Sequence, residues 1–299
     1  MHTNPKSLSI IEFERLFPDP FHCFNALAQI KWKHGFRCIK CGHNKYCRGK
    51  YRLDRQCSKC RYIESPTANT IFHGIKFSIK KAFYIAYFTV TQKKGVSSTE
   101  LSRKLDLRQK TCWLFRRKVL TAMKQNRQNM DPKRTVQLGI LFTGKKGRKH
   151  ALKKKKQSLI AIQVEGNKLF SIKAKVLKNR GKKDIAQFIQ QYFDTNVYIK
   201  SDQWPGARAA MKSFENAHLF KTKDAKKELR LLYRTRMMLL GWLRGTHGHA
   251  KDVQAYLDEY CFRMNYRYLG GAIFFFLLNR LIDERPITYK QLTGHYSNA

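Results

Sequence analysis

The chain has 299 residues, with 61 Lys and Arg against 20 Asp and Glu, a formal net charge of +41 and a pI of about 10.2. At 42% hydrophobic and 13% aromatic it carries enough apolar material for real cores, which excludes wholesale disorder, and its length suits about two domains. The longest apolar run, Ala272 to Leu278, falls far short of the ~18 residues of a spanning helix, so the excess charge points to nucleic acid as partner rather than to a membrane.

Glu12 and Glu14 interrupt the apolar residues near the start, unlike a signal peptide, and a cytoplasmic, nucleoid-associated protein is expected. Five of the eight cysteines lie within 23 residues, a clustering that fits a metal site in a reducing compartment better than a disulfide framework. Cys38-Ile-Lys-Cys41 and Cys57-Ser-Lys-Cys60 are two C-x2-C knuckles 15 residues apart, the spacing that aims four thiolates at one tetrahedral zinc. Four protein ligands leave no open position, so the zinc is expected to be structural, with His43 and Cys47 as second-choice ligands. Cys23, Cys112 and Cys261 read as small buried hydrophobes. The ribbon, with an N-terminal helix, is expected to occupy residues 1–65.

Residues 66–130 read as a helical DNA-binding segment. Apolar positions from Ser78 to Thr91 predict a largely buried helix, and Ser98 to Leu105, a break at Asp106 to Arg108, and a basic helix from Gln109 to Gln125 have the outline of a helix-turn-helix. Arg116, Arg117 and Lys118 are its candidate DNA contacts. From Lys133 to Lys156 there are ten Lys or Arg and no acid, ending in Lys153, Lys154, Lys155 and Lys156, a run that phosphates would neutralise.

Residues 131–299 read as mixed α/β. Gln157 to Val164 and Lys168 to Val176 predict a hairpin, Asp184 to Phe193 a helix, and Val197 to Asp202 a strand ending in an acid, where α/β sheets place their chemistry. Asp202 is therefore a candidate metal ligand, with a helix cap or turn residue as the other reading. Glu228 to Leu243 and Val253 to Asn265 predict helices.

In this order, a four-cysteine ribbon, a helix-turn-helix, an α/β half with Ser201-Asp-Gln-Trp204, and the stretches Trp242-Leu-Arg-Gly-Thr-His247 and Tyr256 to Arg267 resemble the zinc-ribbon DDE-type transposases of bacterial insertion sequences. The resemblance spans roughly residues 10 to 282. It implies a ribonuclease-H-like domain in which acids hold two Mg2+ ions that cut and join DNA strands by in-line phosphoryl transfer. It also implies homo-oligomers acting on terminal-repeat DNA. The family's first acid maps onto Leu138 or Gly139, the second onto Asp202, and the third into Arg236-Met-Met-Leu239, so one of three metal ligands is retained. Glu165, Glu228, Asp258 and Glu259 read more simply as surface or helix-positioning acids. The expectation is a DNA-binding transposase-family protein with structural zinc, no secure Mg2+ site and defective strand cleavage. Two other readings are an active transposase with an unconventional metal site and a basic structural protein that binds nucleic acid.

Overall fold

The computed structural model describes residues 7–51, 53–124, 131, 133–143, 156–177, 182–193, 197–212, 214–247 and 252–293. The chain divides into two compact units, Met1–Met123 with Tyr268–Ala299, and Lys124–Arg267.

The first unit begins with α1 (Ile10–Leu16) and α2 (Pro20–Lys31). A capping box starts α1: Ser9 Oγ accepts from the Glu12 amide, and the Glu12 carboxylate accepts from the Ser9 amide at 2.8 Å. Asp19 caps α2, with Pro20 at its first position, where no amide is needed. A three-stranded antiparallel sheet follows, in the order β1 (Tyr46–Arg48), β2 (Arg55–Cys57), β3 (Ile63–Glu64). Then come α3 (Ile79–Thr91), α4 (Ser98–Leu105) and α5 (Gln109–Ala122). Asp106, in the left-handed region at φ 48°, ends α4, and the Leu107 amide turns back to the Ser102 carbonyl.

The apolar run Ala272–Leu278 belongs to α11 (Ala272–Asp283), a core helix packed on α2, α3 and α5. Phe274 sits among Phe13, Phe17, Phe83 and Tyr87, with ring centroids 5.5 to 6.1 Å away. The C-terminal stretch from Tyr268, expected to close the α/β domain, therefore packs with the N-terminal unit and its short last helix α12 (Tyr289–Thr293). Among the described residues no helix is long and apolar enough to cross a membrane.

The second unit is a five-stranded mixed sheet in the order β6 (Lys168–Val176), β5 (Lys156–Glu165), β4 (Thr135–Thr143), β7 (Ile199–Asp202), β8 (Ala217–Phe220). β4, β5 and β6 form an antiparallel meander, whereas β4, β7 and β8 run parallel, joined through α6 (Lys182–Tyr192) and α7 (Pro205–Met211). β4 is the central strand, although its residues fall at the start of the acid-free, cation-rich stretch from Lys133 to Lys156. Val136, Leu138 and Ile140 point into a core with Leu159, Ala161 and Ile185, Phe188 and Ile189 of α6. Gln137 and Gly139 alternate with them and face the other way, toward α9 (Arg230–His247), whose Leu232 amide donates to Gln137 Oε1 at 3.1 Å. The short α8 (Thr222–Glu228) leads into α9, and α10 (Val253–Asn265) follows it.

β6 is an edge strand, and α10 covers its open side. Gln254 accepts from the Val176 amide at 2.8 Å and donates to the Ala174 carbonyl, while Asn265 does both for Ile172. Asp258, one turn from Gln254, accepts a bond from its side-chain amide at 3.0 Å. Burial pushes the Asp258 carboxyl up to about 6, against the lowering effect of that bond. Below about pH 4 the folded and unfolded chains both hold this proton; between about 4 and 6 only the folded chain does, so stability falls as pH rises through the window. A two-unit shift corresponds to about 3 kcal/mol. Asp258→Asn, which keeps an acceptor for Gln254, is expected to raise the unfolding free energy at pH 7 by up to ~3 kcal/mol and leave it little changed at pH 4. Urea unfolding at both pH values checks this, and a variant less stable at pH 7 contradicts it.

Candidate metal centre and acidic site

Asp202 ends β7 beside the central strand. The Leu138–Ser201 pair of the parallel ladder, with Ser201 Oγ donating to the Leu138 carbonyl at 3.0 Å, puts Gly139 and Asp202 next to each other on the α9 face. This is where the chain order switches sides of the sheet, a location where α/β sheets bind ligands. What meets the carboxylate is α9. Arg236 Nη1 lies 3.3 Å from Asp202 Oδ2, and Tyr233 Oη donates to the same oxygen at 3.2 Å. Burial, and then the neighbouring carboxylate, raise the Tyr233 hydroxyl above its ordinary value. Asp202 Oδ1 is buried without a hydrogen-bond partner.

Of the two positions onto which the resemblance maps the first acid, Leu138 is in the core on the opposite face, and Gly139 faces the site. A Cβ at Gly139 would stand 3.0 Å from Leu232 Cδ2 and 3.4 Å from Arg236 Nη1. The stretch onto which the resemblance maps the third acid supplies Arg236. Three positions widely separated in sequence thus converge, offering one carboxylate, one guanidinium and one bare backbone. The other acids lie elsewhere: Glu165 meets Arg134, Asp258 meets Gln254, Glu259 is buried 3.8 Å from Arg263, and Glu228 is exposed at the end of α8. Set against a magnesium site, this donor set does not fit, because Mg2+ needs hard oxygen ligands and Arg236 presents a positive charge at the same oxygen. Two unit charges 4 Å apart repel by about 4 kcal/mol at an effective dielectric near 20, and a divalent ion doubles this.

The four knuckle cysteines form the one group of three or more His, Cys, Asp or Glu among the described residues whose ligand atoms suit a metal. All four Sγ atoms lie within 4.8 Å of one another, with Cys38 to Cys60 at 3.5 Å and Cys41 to Cys57 at 3.6 Å. A tetrahedral zinc with Zn–S bonds of about 2.3 Å separates its sulfurs by about 3.8 Å, so the set fits structural zinc. The two knuckles share one backbone design. The amides of Cys38 and Cys57 donate to the carbonyls of His43 and Tyr62, and those of Gly42 and Arg61 fold back to the carbonyls of Cys38 and Cys57. That turn needs positive φ, 74° at Gly42 and 60° at Arg61, so the second knuckle carries a side chain where glycine is less strained. His43 instead contacts Ser58 Oγ at 3.0 Å, and Cys47 is exposed on β1, so neither joins the cluster.

Residues 18–63 match the transposase zinc-ribbon domain. No curated protein matches the chain.

The ribbon is fastened to α2 by two contacts. Lys31 Nζ is bound by Glu64 at 2.7 Å and by the carbonyls of Ser65 and Ala68, and Arg55 lies 4.2 Å from the ring centroids of both Trp32 and Tyr46. The enclosed apolar cluster is small, Ala28, Trp32, Phe36, Cys38 and Cys57 with Cys60 and Tyr62 against it, so metal has to supply much of the folding energy.

The cations expected to contact DNA are placed unevenly. Arg116 and Arg117 are buried, 3% and 7% exposed, on the part of α5 that also carries Cys112, Phe115, Val119 and Leu120 inward. Lys118 is half-buried, and burial lowers its ammonium below the ordinary value. The exposed residues of this helix are at its start, Arg108, Gln109 and Lys110. Lys156 is exposed at the start of β5, and Lys153, Lys154 and Lys155 lie outside the described residues.

Metal analysis of the purified chain is expected to give one zinc per molecule. Cys57→Ser should lose it together with the ribbon's protection from proteolysis, while α3 and α11 keep theirs; a metal-free preparation with a protected ribbon contradicts the assignment.

Proposed function

We propose that the chain is a DNA-binding protein related to insertion-sequence transposases, in which a ribonuclease-H-like unit has exchanged its metal site for an internal ion pair and is defective in strand cleavage and transfer. The observation that carries this is the Arg236 guanidinium on Asp202 Oδ2, at the point where a catalytic divalent ion would have to sit. The matched ribbon supports the transposase origin. The sheet supports the ribonuclease-H-like reading: an antiparallel meander turns into parallel crossover strands at β4, with an acid at the end of the neighbouring strand. The net charge of +41 supports a polyanionic partner.

DNA engagement is assigned to the ribbon and to the α4–α5 hairpin. In a helix-turn-helix the first residues of the second helix reach base edges, which suits the exposed Arg108, Gln109 and Lys110 better than Arg116 and Arg117. Terminal repeats as the sequence recognised, and a homo-oligomer as the working form, belong to the same reading.

Two measurements on the purified chain test it. Affinity for duplex DNA should fall by several decades for a tenfold rise in salt if about six phosphates are engaged, and a flat response contradicts phosphate binding. Incubation with end-sequence DNA and Mg2+ or Mn2+ should yield no nicked or joined products. Products that vanish on Asp202→Ala would establish an active transposase with an unconventional site and overturn the defective one.

A further inference from the structure

α9 has two unlike sides. At 100° per residue its buried side chains, Leu232, Thr235, Leu239 and Leu243, gather on one side. The exposed Arg230, Arg234, Met237, Met238, Gly241 and Arg244 fall within an opposite arc of about 120° that runs about 21 Å along the helix. This outer face holds no acid, and none of its three arginines makes an ion pair among the described residues. At one end Arg230 and Arg234, one turn apart, join Asn167 of the β5–β6 turn and Leu231 around a cleft of about 380 Å³, a concave seat with two guanidinium groups and a side-chain amide.

The middle of the face is low and apolar. Met237 and Met238 are 64% and 49% exposed. A Cβ at Gly241 or at Gly245 would meet nothing within 4 Å, so no packing contact inside the protein requires glycine there. Glycine inside a helix is destabilising relative to alanine, and an exposed helix face made only for solvent has no use for it. Three arginines without a compensating acid repel the same face of a second copy and attract a polyanion.

We propose that the outer face of α9 is a docking surface for the backbone of duplex DNA, with Arg230 and Arg234 holding a phosphate in the cleft and Arg244 holding another farther along. The glycine positions let the sugar–phosphate chain lie close to the helix, and the methionines cover the apolar edges of the sugars. Arginine is suited to the task because its planar fork binds phosphate oxygens in pairs. The proposal rests on the DNA-binding reading above and adds that the α/β unit supplies its own phosphate contacts, on the side of α9 opposite its buried face.

The test uses the full chain and a random-sequence duplex of about 30 base pairs, with affinity followed by fluorescence anisotropy across a salt series. Replacing Arg230, Arg234 and Arg244 together by Gln should reduce the slope of log K against log salt by about 1.8, two phosphates at ~0.9 each. Removing the same charge from α8, with Lys223, Lys226 and Lys227 changed to Gln, should reduce it by less than about 1. Gly241→Trp changes no charge and should weaken binding about tenfold or more by holding the backbone off, with zinc content and circular dichroism as in the parent. An arginine variant whose slope matches the parent or the α8 control overturns the proposal. So does an arginine variant that dissociates in sedimentation while its slope stays unchanged, since the face would then join two copies. A parent chain that binds no duplex overturns the functional reading as well, and is told apart because it needs no variant.

Discussion

The contact between Arg236 and Asp202 joins the centre of a mixed sheet to the helix that covers one of its faces. A third position adjoins it, since a Cβ at Gly139 on the central strand would press on Leu232 at 3.0 Å and touch the guanidinium at 3.4 Å. Both charged side chains are about four-fifths buried, so each needs the other: a lone carboxylate there would be desolvated without compensation, and a lone guanidinium likewise. Only Asp202 Oδ2 is engaged by the pair, Oδ1 being buried without a partner, but a carboxylate whose charge a guanidinium already offsets has less affinity for an external cation. On the proposed reading, losing the other acids and gaining the arginine are one physical change, a metal's charge replaced by a side chain's.

The cysteine cluster of the ribbon is the opposite case. The ribbon's small apolar cluster leaves four thiols within reach of one another, and zinc is the ion whose size and ligand preference fit them. The cations outnumber the acids three to one, so the chain's own acids cannot offset most of the positive charge, which suits a polyanionic partner. On the proposed reading the means to bind a polyanion is kept after the means of cutting one has been replaced, because the two depend on different residues and different physics.

Much of this was legible in the sequence. The knuckle spacing located the metal set because two tight turns and four thiolates leave few other arrangements. β6 and α4 fall on the residues that periodicity indicated, and Asp202 does end a strand. The central strand was hidden by composition: Thr135 to Thr143 is an apolar run, but it lies inside a stretch conspicuous for lysine and lacking acids. α11 was hidden differently, because an apolar run too short for a membrane was not followed to its other use as a core helix. The burial of Arg116 and Arg117 was not readable, since a helix rich in cations looks the same in sequence whether they face out or in. The role of Arg236 was written in the stretch that matched the third acid, but only the fold brings it to Asp202 and separates Gly139 from Leu138.

Manganese binding followed by electron paramagnetic resonance tests the central claim most directly, on the parent chain and on the Gly139→Asp, Arg236→Glu double variant. The account predicts no saturable Asp202-dependent site in the parent, and a gained site in the variant, where three carboxylates would surround one point. A parent chain that binds Mn2+ stoichiometrically and loses it on Asp202→Ala would contradict the account.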